Sequence, residues 1–166
     1  MNIYLTPLSK EIYMLDFNNN LLKCTDKFWR LEHGMEEKLT RINQNKNIQT
    51  LYSQTYPSHT ESYLEICYTE AIEIYILRYF IPELIIALKN DKGHGFPHEQ
   101  YEFLYLFREP EIRDDISNAS MNLGCLNDPQ YFNINRIRFI LESQDMHKHE
   151  IFWNFLVTKL STIVPT

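Results

Sequence analysis

The sequence predicts an all-α fold: a single domain spanning 1–166, built as a helical bundle or irregular helical array of about seven or eight helices. Three observations point there. Glycine is scarce, with four residues in 166 where average usage of roughly 7% would give about a dozen, and sandwiches and phosphate-cradling folds need more for their turns. The stretch Glu61–Asn90 is too apolar for a surface helix and too often charged for a membrane span, so it reads as a helical hub covered by other helices. Helix caps and first-turn prolines also punctuate the chain at intervals suited to helices of ordinary length.

Taken in order, Thr6-Pro7 is a cap followed by proline at a first helical position, and Leu8, Ile12 and Leu15 follow helical spacing until Asn18-Asn19-Asn20 breaks it. Short strands around an asparagine turn are the other reading of this opening. Thr25 can cap a second helix whose stripe is Phe28, Leu31, Met35 and Leu39, with Gly34 inside the pattern. Residues 43–57, rich in Asn and Gln, read as a loop. Ser58-His59-Thr60-Glu61 is a capping box opening the hub, and Pro82 is expected to kink the hub or to end and restart it. Pro97 starts a helix carrying Tyr101, Leu104 and Tyr105, and Pro110 starts another that runs to Gly124. Asp128-Pro129 opens a helix through Phe132, Ile137 and Ile140. Asp145 caps the last, with Phe152, Phe155, Leu156, Leu160 and Ile163 on its apolar side.

Composition narrows the function classes. The net charge of −6 is uneven: residues 58–115 hold 12 acidic and 5 basic groups, while the flanking thirds are nearly balanced. A field of that sign repels phosphate backbones and anionic lipid and suits a basic partner, so neither nucleic acid nor membrane is an expected partner. Cys24, Cys67 and Cys125 are odd in number and far apart, as expected of buried reduced thiols in a cytoplasmic protein. The N-terminus has no basic run followed by an apolar one, so no signal peptide is expected.

Chemical motifs are missing. Asp145, His147 and His149 would share a face on a strand, but on a helix the two histidines point about 160° apart, so they read as solvated residues of a helix start. His94 and His98 lack a third ligand nearby. No glutamate stands three residues before a histidine, which removes the di-iron pattern of helical bundles. There is no nucleophile elbow and no phosphate-binding glycine loop. The expectation is therefore no catalytic residue, no metal and no cofactor.

On a helical hub, Tyr63, Leu64, Cys67, Tyr68, Ala71, Ile74 and Tyr75 share a broad face, with Glu65, Glu70 and Glu73 opposite. Arg78 is the lone charge on the tyrosine-rich face and is expected to be buried against a carboxylate or tyrosine hydroxyls. The candidate partner-binding residues are Glu65, Glu70, Glu73, Glu99, Glu102, Asp114 and Asp115 for charge, with Tyr101 and Tyr105 as aromatic anchors.

A small, acidic, glycine-poor, Tyr- and Asn-rich helical cytosolic chain without a catalytic motif resembles the immunity proteins of bacterial toxin systems, including contact-dependent growth inhibition. The resemblance lies in overall character and in no motif. It implies a non-enzymatic protein that binds a cognate, basic, nuclease-type toxin domain and occludes its active site or an essential surface. The alternatives are a helical adaptor or regulatory subunit, and a small-ligand binder or enzyme with a pocket around Arg78 and the hub tyrosines.

Overall fold

The computed structural model describes residues 4–23, 34–55, 61–90, 103–108, 134 and 136–165. It overturns the all-α expectation. The described chain is mixed α/β, with an antiparallel four-stranded sheet of β1 (Ile48–Gln54), β2 (Glu61–Tyr68), β3 (Phe103–Arg108) and β4 (Ile137–Glu142) in the order β1-β2-β4-β3.

Two helices come first. In α1 (Pro7–Lys23), Thr6 and Ser9 cap each other: the Ser9 backbone N–H donates to Thr6 Oγ1 at 3.1 Å, and the Thr6 N–H donates to Ser9 Oγ at 2.9 Å. The three asparagines do not end α1, which runs on to Lys23. Gly34 is the N-cap of α2 (Met35–Asn43) rather than an interior residue, and its φ of 78° is a left-handed conformation that glycine adopts without strain. The proposed start of a helix at Thr25 lies outside the described residues.

The expected loop holds strand β1 (Ile48–Gln54), whose ladder to β2 carries a bulge between Thr50 and Tyr52. Its asparagines are buried latches. The Asn43 side chain accepts from the Thr50 N–H and donates to Thr50 Oγ1, both at 2.8 Å. Asn45 Nδ2 donates to the carbonyls of Leu160 and Ile163 near the end of the last helix.

The hub divides. Glu61–Tyr68 is not helix but β2, paired with β1 on one side and β4 (Ile137–Glu142) on the other. A central strand is buried on both faces, so its apolar residues do not alternate with polar ones and a helical reading fits them equally well. The alternation shows in the packing instead. Leu64, Ile66 and Tyr68 enter the main core, while Tyr63 and Cys67 join a second cluster with Leu5, Tyr13, Leu51, Tyr52 and Ile134. The expected helices through Tyr105 and through Ile137–Ile140 are also strands: β3 (Phe103–Arg108) pairs with β4, Tyr105 opposite Ile140.

Residues 70–90 form one composite helix. A 3-10 turn (Glu70–Ile72) leads into a single α turn, α3 (Glu73–Tyr75), then a π turn (Ile76–Phe80), then α4 (Ile81–Asn90). Pro82 explains the wide turn. It has no N–H for the carbonyl four residues back and its ring would strike that turn. The Ile81 N–H instead bonds five residues back, to Ile76, and the helix continues without a break. Ile72, Ile76, Phe80, Leu84 and Leu88 are buried at every fourth position. A four-residue repeat drifts around an ordinary helix, and a π turn, which rotates less per residue, takes back part of that drift.

The last helix, α5 (Met146–Leu160), starts where the sequence places it, with Asp145 accepting from the His147 N–H at 2.9 Å. Phe152, Trp153, Leu156 and Leu160 complete the main core against α2, the composite helix and one face of the sheet; Leu5, just before α1, and Tyr13 on it pack in the second cluster on the other face. Two lysines tie helix ends to this frame: Lys10 Nζ donates to the carbonyls of Asn43 and Ile48, and Lys148 Nζ to that of Leu88. Among the described residues, no helix is long and apolar enough to cross a membrane.

Candidate functional site

Three places on this frame concentrate chemistry: an ion triad on the sheet, a serine–histidine pair beneath α5, and the outer face of the composite helix.

The triad follows from register. Glu65 on β2 stands opposite Arg138 on β4. Arg138 Nε and Nη2 donate to Glu65 Oε2 at 2.9 and 2.6 Å, and Arg136 Nε lies 3.3 Å from Oε1. The side chains of Glu65 and Arg136 are 1% and 5% exposed, and Arg138 covers the Tyr63 ring at 4.6 Å. Burial raises the Tyr63 hydroxyl above its ordinary pKa, opposed by the Arg138 guanidinium and reinforced by Glu65 and Glu61. Glu65 is therefore no surface charge. Its carboxylate is spent inside the protein, which corrects its expected place on a partner-binding surface.

The second place has the look of a catalytic pair. Ser62 Oγ lies 2.6 Å from His149 Nδ1, and His149 Nε2 lies 2.7 Å from the Ser143 carbonyl. That carbonyl can only accept, so Nε2 carries a proton, and in the neutral imidazole Nδ1 accepts from the Ser62 hydroxyl. A serine relieved of its proton this way could act as a nucleophile, but Ser62 and His149 are 0% and 2% exposed. No substrate reaches them, and the pair acts as a clamp between β2 and α5. The expected solvated helix start is corrected accordingly: His149 and Asp145 are buried, and only His147 is partly open. Among the described residues, no three His, Cys, Asp or Glu side chains are placed to hold a metal.

The third place is the solvent side of residues 70–90. Ile74, Tyr79 and Ile86 are 70%, 50% and 55% exposed and follow one another along the helix with Arg78 and Pro82 between them. Glu70 stands exposed at the N-terminal end. Half-buried Glu73 accepts from the Tyr68 hydroxyl at 3.3 Å, and Glu83 meets Lys159 at 3.6 Å on one flank. Tyr75 and Tyr79 pack with ring centroids 5.6 Å apart. Arg78 is exposed rather than buried, so the expected burial against tyrosine hydroxyls does not occur. The main core buries the other side of the helix, through Ile72, Ile76, Phe80, Leu84 and Leu88.

Of the partner-binding candidates, the structure brings Glu70 and Glu73 to this face, together with Arg78. It withdraws Glu65 and sets Tyr105 in β3. Glu99, Tyr101, Glu102, Asp114 and Asp115 lie outside the described residues. The sequence reading missed Arg136 and Arg138, although the alternation Arg-Ile-Arg-Phe over 136–139 is a strand signal with both guanidinia on one face. Ile86 carries no signal of its own in a segment so apolar that it reads as covered by other helices, and Ile74 reads as part of the tyrosine-rich packing face. No protein-family model, curated protein or solved structure matches the chain.

Proposed function

We propose that this chain is a binding protein that acts by covering the surface of a protein partner, and that its binding face is the outer side of residues 70–90. The observation that carries the reading is the run of Ile74, Tyr79 and Ile86, half or more exposed on a helix whose opposite side is fully committed to the core. A single exposed apolar residue is ordinary, whereas a connected apolar face edged by charge is the usual anatomy of an interaction surface.

The partner is a basic protein domain. Glu70, Glu73 and Glu83 edge the face, three carboxylates against Arg78 and Lys89. Carboxylates at the rim would steer a cationic partner into register while the apolar residues supply affinity. A basic nuclease-type toxin domain, inhibited in the cytoplasm by occlusion, is the partner that the resemblance to immunity proteins implies. The helical part of that resemblance falls with the fold, and its small size, acidity and lack of catalytic motif remain.

Co-expression with the C-terminal toxin domain of a neighbouring gene is the test, and the absence of any such neighbour overturns the toxin reading. Growth is expected to be restored by the wild-type chain and lost with Ile74→Glu plus Ile86→Glu at unchanged expression. Cells that die equally with and without the wild-type chain overturn the toxin reading.

A further inference from the structure

The exposed side of the composite helix has the same spacing read from either end. Of the exposed residues, Ala71, Ile74, Arg78, Pro82, Ile86 and Lys89 follow one another at intervals of 3, 4, 4, 4 and 3, centred on position 80, with Glu70 and Tyr79 exposed beside this series. Laid antiparallel against a second copy across a two-fold axis at that position, each residue meets the one equally distant on the other side. Ile74 then packs on Ile86 of the second copy, and Arg78 falls beside Pro82. Tyr79 lies near the axis against its own counterpart. Exposed Glu70, next to Ala71, comes within reach of Lys89, so the two ends of the stripe are oppositely charged and meet as opposites. A parallel pairing would instead set Glu70 against Glu70 and Lys89 against Lys89.

From this self-complementarity we infer that the chain pairs with a second copy of itself through residues 70–90, antiparallel, as a two-fold dimer. An isologous interface requires one patch to complement itself, and Ile74 matched with Ile86 and Glu70 with Lys89 meet that requirement, with the two Arg78 side chains on either side of the axis beside Pro82. Antiparallel helix axes also place each dipole end beside its opposite. The inference stands whether or not the physiological partner is a toxin domain. If it is, the toxin competes with the second copy for the same face. The stripe is about 27 Å long, short for an obligate interface, so the pairing is weak and exchanging, with a dissociation constant on the order of tens of micromolar.

Sedimentation equilibrium of the full chain from about 5 to about 200 µM tests this. The apparent mass is expected to climb from the 20.0 kDa of one chain toward twice that value. Ile74→Glu is expected to hold the monomer mass throughout. Glu70→Lys and Lys89→Glu are each expected to weaken pairing several-fold, and the double reversal to restore it, because the two charges face each other only across the two-fold. Circular dichroism separates lost pairing from lost folding, with Ile86→Glu replacing Ile74→Glu where the latter fails to fold. A wild-type chain that stays monomeric over the whole range overturns the dimer, and so does a double reversal as monomeric as either single. Both readouts use the isolated protein, so they fail independently of growth rescue.

Discussion

The β2–β4 junction and the composite helix invert each other. At the junction, a carboxylate and two guanidinia lie inside the protein, Glu65 held by Arg136 and Arg138. On the helix, Ile74, Tyr79 and Ile86 lie outside. The buried charge is tolerated because each member has an opposite partner at ion-pair distance. The exposed hydrocarbon has no such account within the described residues, and that asymmetry is why a binding role is proposed for the helix. The charge of a segment is also not the charge of its surface: Glu65 adds to the acidic count of 58–115 and nothing to the field outside.

Breaking the junction is expected to give the largest effect. Glu65→Gln leaves two arginines facing a neutral amide in a site from which water is largely excluded, and breaking a buried pair in this way costs about 3–5 kcal/mol. Urea unfolding monitored by tryptophan fluorescence measures it. Arg138→Met is expected to cost less, since that side chain is 20% exposed and Arg136 remains to neutralise the carboxylate. Equal losses for the two variants would mean that packing, rather than charge pairing, dominates the junction.

The clamp should rank next. His149→Ala removes the hydrogen bonds that Ser62 Oγ and the Ser143 carbonyl make to one imidazole, a cost of about 0.5–1.5 kcal/mol for each bond, before any cavity is counted. Conversion of the pair into a cryptic catalytic site would require solvent access at Ser62, so a serine-directed phosphonate should leave the folded protein unlabelled. Labelling at Ser62 would sink the structural assignment.

A third effect is visible only in its pH dependence. Burial pulls the Lys10 ammonium down to about 8, offset in part by Cys67. The unfolded amine titrates near 10.5, so between about pH 8 and that value the unfolded chain binds more protons and stability rises with pH. Tyr63 acts in the opposite sense above its ordinary value, since the folded state holds its phenolic proton longer. The difference between the wild-type chain and Lys10→Met in a stability series from pH 8 to 9.5 therefore reports on Lys10. The upward slope is expected in the wild-type chain and should flatten in Lys10→Met.

These residues also mark what could be read from the sequence. The starts of α1 and α5 were legible because a cap is local chemistry: Thr6 with Ser9, and Asp145 with the His147 N–H, lie within three residues of one another. β2 was not legible. Ser62, Leu64, Ile66 and Tyr68 on one face and Tyr63, Glu65 and Cys67 on the other are nearly all buried, and neither period stands out when both faces are covered. Only the neighbours β1 and β4 decide that this segment is a strand, and they are remote in sequence. The same holds for Glu65, whose partners lie 71 and 73 residues on. Arg78 was misjudged for a linked reason. Its burial followed from carrying the helical period back through β2, whereas the composite helix begins only at Glu70 and turns Arg78 outward.

The smallest expected change in stability belongs to the helix face, and there the contrast with the junction is sharpest. Ile86→Glu replaces a side chain that is 55% exposed, so little buried contact is lost and unfolding should shift by no more than about 0.5 kcal/mol. A glutamate there does not disfavour the helix either. Its effect should fall on association, because a carboxylate at the centre of an apolar contact has to be desolvated without a counter-charge when a partner arrives. Glu65→Gln and Ile86→Glu thus form a reciprocal pair, one removing stability, the other removing binding from a protein that folds normally. Measured side by side by urea unfolding and by sedimentation, they separate the charge that builds the fold from the hydrocarbon offered to a partner. If Ile86→Glu unfolds the chain as readily as the junction variant does, the face is a structural surface and the binding assignment falls with it.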